Sequence, residues 1–152
     1  MALIGPAYSS TAIVIGGFLQ MLKVRAISGT TTSPELSSHT YNHLYRTVPP
    51  DTYLAKAVAD IIDHFNWTYV AAVAVDDSYG RSGLWSVVKE AANKNGSFCV
   101  AVTEFISHNT QITKMKEIVT KLRRHENIRV IIAWLCGAIL RNFLREVRRQ
   151  NL

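Results

Sequence analysis

The sequence is poor in the residues that covalent and metal chemistry need. It has two cysteines in 152 residues, Cys99 and Cys136, with no C-x-x-C pair. Its five histidines (His39, His43, His64, His108, His125) are dispersed. Zinc-type ligand spacing is therefore absent, and neither a metal nor another cofactor is expected. No G-x-S-x-G elbow is present, and no cysteine stands beside an obvious base. Asp76 and Asp77 adjoin at a strand end, where successive side chains diverge, so they are no acid/base pair. The phosphate-cradling G-x-G-x-x-G is missing, which disfavours a nucleotide. Long apolar runs are also missing. Ala12 to Leu22 falls short of the roughly 20 residues a spanning helix needs. The first lysine, Lys23, follows this run, the reverse of a signal peptide. The run is expected to be a buried amphipathic helix, with no anchor or export signal in the segment.

Charged residues make up only 18%, and hydrophobic residues 48%, enough for a packed core. The formal net charge of +6 is uneven. From Lys114 onward there are ten Lys or Arg against three Glu, and before it seven against eight acidic residues. A basic final third suits nucleic acid or an anionic membrane surface, but equally the solvated faces of two helices, and the second reading is preferred.

From Asp51 onward, helical periods alternate with short apolar runs. Leu54, Val58, Ile61, Ile62 and Phe65 predict a helix. Tyr69 to Val75 reads as a strand buried on both faces. A helix over Gly80 to Asn95 with Gly96 as its stop, a strand from Phe98 to Phe105 and a helix from Gln111 to Arg124 follow. A strand from Val130 to Leu135 and a helix marked by Ile139, Leu140, Phe143, Leu144 and Val147 complete the series. This is the pattern of a parallel sheet covered on both faces, whose ligands sit beyond the carboxyl ends of the strands. The first 48 residues predict one main helix and one strand, Val24 to Ser28, followed by a polar loop from Gly29 to Ser38. Val48-Pro49-Pro50 breaks the chain before the α/β unit.

Four places carry candidate chemistry. Ser9 and Ser10 open the first helix, where hydroxyls and unpaired N–H groups suit a carboxylate, or where one serine is merely the N-cap. Thr30 to Pro34 follows the first strand, with Ser33-Pro34 also fitting a capped turn. Asp51 is either a helix N-cap or a carboxylate for an ammonium group. Asp76 to Gly83 follows the first buried strand, and Tyr79 there suits a cation through its ring or a polar group through its hydroxyl.

Together these segments resemble the extracellular ligand-binding region of class C G-protein-coupled receptors. Gly5-Pro6 with Ser9-Ser10 is similar to their GPxxS(S) helix start, and Thr30, Thr32 and Ser33 fall where they carry SATS. Arg46 to Asp51 resembles R-x-V/I-P-x-D, Phe65 to Val70 their NWTYV entry, and Asp76 to Gly83 their DDxYGRxG loop. The order agrees over essentially the whole chain. The resemblance implies a bilobed type I periplasmic-binding-protein-like α/β fold, with residues 1–48 a partial first lobe, 49–51 a hinge and 52–152 most of the second. It implies an amino-acid-like ligand whose α-carboxylate meets Ser9 and Thr30, with Ser10 a weaker contact. The α-ammonium would meet Thr32, Asp51 and Tyr79. It also implies a homo- or heterodimer, with Phe18, Met21 and Leu22 facing the partner unless they pack within the lobe. A G protein would be engaged through a transmembrane domain, and the segment would face outward at the plasma membrane. Cys99 would bridge to a further domain and be free here, the competing reading being a buried strand thiol. Asn66 and Asn95 head glycosylation sequons.

Two departures bear on the ligand. Tyr8 replaces a small residue beside the anion site. Cys136 stands where an acidic residue often faces the cleft, and a thiol supplies no such charge. Both argue against a simple glutamate reading. A non-signalling solute-binding protein of the same fold is the alternative, and an α/β enzyme lacks an identifiable catalytic group. A first lobe this small would not bury a core unaided, so the segment alone is expected to bind poorly.

Overall fold

The structure, a computed structural model, describes residues 2–94 and 96–152. Its strands form two separate parallel sheets of three. The first joins β1 (Ala2–Ile4), β2 (Arg25–Ser28) and β3 (Leu44–Arg46) in that order, with α1 (Ser9–Met21) between the first two strands. The second has the order β5 (Cys99–Ile106), β4 (Tyr69–Val75), β6 (Val130–Trp134). Around it run α2 (Asp51–His64), α3 (Ser78–Asn93), α4 (Ile112–Arg123) and α5 (Gly137–Arg149).

The second sheet follows directly from its sequence. β4 is flanked on both sides, and Val70 to Val75 are all fully buried. Its side chains alternate between two cores. Val70, Ala72 and Ala74 pack with Ala55, Ala59 and Ile62 of α2 and Leu84, Val87 and Ala91 of α3. Ala71, Val73 and Val75 pack with Met115, Ile118, Val119 and Leu122 of α4 and Phe143 of α5. The small residues let the two layers of helices approach closely. The elements expected here are present with ends shifted by a few residues. α3 begins at Ser78 rather than Gly80, because the Asp77 side chain accepts from Gly80 N–H at 2.9 Å and caps the helix. Gly96 sits at φ +70°, the left-handed conformation that ends a helix cheaply.

The first 48 residues hold more than the single strand expected of them. β1 and β3 have three residues each, too short for any period to register in sequence, and they gain strand geometry from pairing with β2. Ser33-Pro34 opens a short 3₁₀ turn, Pro34–Ser37, although the Ser33 side chain caps nothing.

α1 is not buried as expected. It buries only Ser9, Ala12 and Gly16, and its other face carries exposed Val14, Phe18, Met21 and Leu22. Within this chain, then, Phe18, Met21 and Leu22 have no packing partner among the described residues. Small residues lie against the neighbouring 3₁₀ turns because the approach is close: a Cβ on Gly16 would stand 2.7 Å from the Tyr41 ring. No helix of the described residues is long and apolar enough to cross a membrane.

Candidate functional site

The carboxyl ends of β1, β2, β3, β4 and β6 point toward one cleft of about 360 Å³. Its lining gathers Ala7, Tyr8 and Ser9 after β1, Thr30 and Thr32 after β2, and Asp51 and Leu54 on α2. It is completed by Asp77 and Tyr79 after β4, and by Cys136 after β6. Five of the six expected ligand contacts and both weaker cleft positions therefore share one space. Ser10 does not line it.

Hydrogen bonds assign each hydroxyl a polarity. Tyr8 occupies the N-cap position of α1 and caps nothing with its side chain, so Ser9 and Ser10 lie inside the helix and neither is the N-cap. Ser9 Oγ accepts from Ser33 N–H at 3.2 Å. Its own proton is free to donate, beside the unpaired N–H groups of the helix start. Thr30 differs: its hydroxyl donates to Ala7 C=O at 2.8 Å and so presents lone pairs to the cleft. To hold an anion it would have to release Ala7.

On the opposite side, Thr32 Oγ1 donates to Asp51 Oδ2 at 2.9 Å, and Asp51 N–H donates to Thr32 C=O at 2.8 Å. This double tie fixes the loop to the start of α2. Asp51 is not the N-cap; Pro50 is, and Asp51 takes the first helical position with 4% of its surface exposed. Burial pushes its carboxyl upward, while the Thr32 hydrogen bond and the nearby Arg46 charge pull the other way. Arg46 itself braces the loop, donating to Ser33 C=O at 3.0 Å and to Ser37 Oγ at 2.6 Å. Its own ionisation is pushed downward by burial, opposed by Asp51. The arginine and aspartate of the Arg46–Asp51 motif thus order the threonine loop together, although they form no ion pair in the described residues.

Tyr79 lies against Trp134, ring centroids 6.3 Å apart. Burial first, then the charges of Asp51, Cys136 and Asp77, push its hydroxyl to about 12, so it stays neutral near pH 7. Burial and Asp77 likewise push the Cys136 thiol upward. Asp77, from the candidate segment Asp76 to Gly83, and Leu54, expected only as a core position of α2, also line the cleft without having been expected as ligand contacts. Asp77 has both oxygens engaged, one by Gly80 N–H and the other by His108 Nε2 at 3.1 Å. The D-x-x-G spacing signals the cap, and the place after β4 signals the cleft, but neither tells which side chain of the segment lines it. Leu54 lies one helical turn beyond Asp51, which is why they share a face.

Elsewhere, Cys99 is exposed and free, so the buried-thiol reading does not hold. Asn66 is exposed at the end of α2 with φ +55°. Asn95 lies outside the described residues. No group of three or more metal-type side chains is gathered among the described residues.

Two parallel sheets with helices packed about them, and a cleft at their strand carboxyl ends, make this an α/β protein of the type I periplasmic-binding-protein-like kind. The chain matches the receptor family ligand binding region over residues 1–152, and it belongs to that family. It is similar to the metabotropic glutamate receptor of Drosophila melanogaster, 33% identical over 150 residues, covering 98% of this chain and 15% of that one. It is also similar to metabotropic glutamate receptor 4 of Mus musculus, 32% identical over 152 residues, covering 99% of this chain and 17% of that one. The chain thus spans about one-sixth of the length of these curated relatives. These relatives are receptors, and the class C receptor resemblance holds over nearly the whole chain.

Proposed function

We propose that this chain is the part of a class C receptor's ligand-binding region that grips the α-amino and α-carboxylate groups of an amino-acid-like ligand. The observation that carries the proposal is the gathering of Ser9, Thr32, Asp51 and Tyr79 from four separate segments around one cleft. Ser9 with the start of α1 offers donors to an anion, and Asp51 with Thr32 offers acceptors to a cation. Residues 1–48 and 52–152 act as two lobes about a hinge at 49–51, and closure on the ligand drives signalling through a transmembrane domain to a G protein. The exposed face of Phe18, Met21 and Leu22 is the dimer contact, Cys99 the link to a further domain, and Asn66 and Asn95 glycan acceptors on the outer side of the plasma membrane. Calorimetric titration of the ectodomain containing this chain with the twenty amino acids tests the ligand class. Binding of at least one amino acid in the micromolar range or tighter is expected, and no binding by a folded ectodomain rejects the proposal.

Two further results follow. Replacing Tyr79 by Phe keeps the ring and should leave affinity within about threefold, whereas Tyr79→Ala should cost about tenfold, as expected if the ring carries the contact. Equal losses in both variants would assign the contact to the hydroxyl. The second concerns pH. A ligand ammonium needs Asp51 ionised, and burial raises the Asp51 pKa in the empty cleft. Affinity should therefore strengthen as pH rises through that raised value and level off above it. Asp51→Asn should bind weakly with no such rise, as read by titration between pH 4 and 8, a range of about the carboxylate and histidine pKa values.

A further inference from the structure

We infer that Ser33 and Ser82 form a clasp that holds the two walls of the cleft together, each acting as a positioning residue. Their hydroxyls lie 3.1 Å apart. Among the described residues, this is the only hydrogen bond or ion pair joining residues 2–46 directly to residues 66–152. The direction of the bond follows from the second partner of Ser82. Ser82 donates its one proton to the Ser78 carbonyl, a turn back along α3. Because the Ser78 carbonyl can only accept, this contact favours Ser33 as the donor and Ser82 Oγ as the acceptor.

Both ends are tied to the cleft. Ser33 adjoins Thr32, and its N–H is held by Ser9, so it sits one bond from both the cation-facing and anion-facing walls. Ser82 lies one helical turn beyond Tyr79. Ser33 is fully buried, and its N–H, C=O and hydroxyl are all engaged. If the walls separate, the hydroxyl meets water instead of Ser82 and loses little. If Ser82 is truncated while the walls stay together, a buried donor is orphaned. Loss of the acceptor therefore favours the open arrangement, and the clasp biases the cleft toward the closed one.

This inference rests on reading the cleft as one that opens and closes, but its test needs no ligand. Cys136 is a half-buried thiol in the cleft and reports opening by its alkylation rate. With exposed Cys99 replaced by Ser, Cys136 is the one thiol left within these 152 residues, and its modification in the ectodomain is read on its own peptide by mass spectrometry. N-ethylmaleimide should then modify Ser82→Ala about three- to tenfold faster than the parent at fixed pH, with unchanged circular dichroism. Ser82→Thr keeps the acceptor and should stay near the parental rate. Ser33→Ala breaks the bond without orphaning a donor and should show a rise of about twofold. The double variant should match Ser33→Ala, because no donor is left to orphan. A parental rate in folded Ser82→Ala, or rises that multiply in the double variant, would overturn the clasp. Should no amino acid bind the ectodomain while Ser82→Ala still reacts faster, the clasp stands and the ligand proposal falls.

Discussion

Asp51→Asn is expected to weaken amino-acid binding by about 2–5 kcal/mol, some thirtyfold to several-thousandfold, while leaving the empty protein as stable as before or more so. The two effects have opposite signs for one reason. Asp51 is buried, and burial disfavours its charged form. In the empty cleft the ionised carboxylate is a liability. An acid whose folded pKa is raised gives stability in its protonated form, and that contribution declines as pH climbs from the ordinary carboxylate value to the raised one. Asparagine removes the decline and still accepts the Thr32 hydrogen bond seen at 2.9 Å. In the ligand-bound cleft the carboxylate finds its counter-charge, and an amide supplies none. Calorimetry of binding and thermal unfolding near pH 7, run on the same variant, separate the two effects. Unchanged affinity would remove Asp51 from the site. A loss of affinity accompanied by an equal loss of stability would make it a structural residue.

Gly80→Ala should be the most damaging single-atom change in the second half of the chain, costing about 3 kcal/mol or more. A Cβ at Gly80 would stand 2.0 Å from the Val75 carbonyl oxygen and 2.8 Å from its carbon. Those are backbone atoms at the end of β4, the central strand, so no rotamer change relieves the clash. Gly83, one turn on, meets the Trp134 indole at 2.2 Å, and Gly83→Ala should be damaging for the same reason. At roughly 2–4 °C per kcal/mol for a chain of this size, the melting temperature should fall by about 6–12 °C. Because Gly80 follows Tyr79, lifting the helix start would also draw the tyrosine ring from the cleft and weaken binding. A melting temperature within about 2 °C of the parent would show that α3 does not approach β4 this closely. The glycines of the Asp76–Gly83 segment are thus explained by packing, and a ligand is not needed to account for them.

How far these features were legible varies along the chain. β4 announces itself, because an apolar run of seven residues is too short for a buried helix and fits a strand covered on both faces. The helices of the second half announce themselves through apolar residues three and four apart. β1 and β3 do not, since three residues carry no period and their geometry comes from β2. α1 is legible only in part for a related reason: an apolar stretch reads as buried, but the packing partners decide which of its faces is covered. The candidate site was legible as residue types at strand ends and helix starts. It was not legible as polarity. That the Thr30 proton is spent on Ala7, that Asp51 is tied to Thr32 rather than capping α2, and that Asp77 belongs to the cleft are relations across loops.

The sequence by itself determined the α/β class, the parallel second sheet, its two-sided core and the family. Each of these rests on local periodicity or on motifs of adjacent residues. The tertiary structure decided which candidates share one space, which hydroxyls donate, and how the threonine loop is tied to α2 and α3. Ser33 and Ser82 are 49 residues apart, and nothing near either one specifies the other. Such pairings depend on how two separately formed sheets dock, and docking is set by the shape of whole surfaces rather than by the period of any one segment.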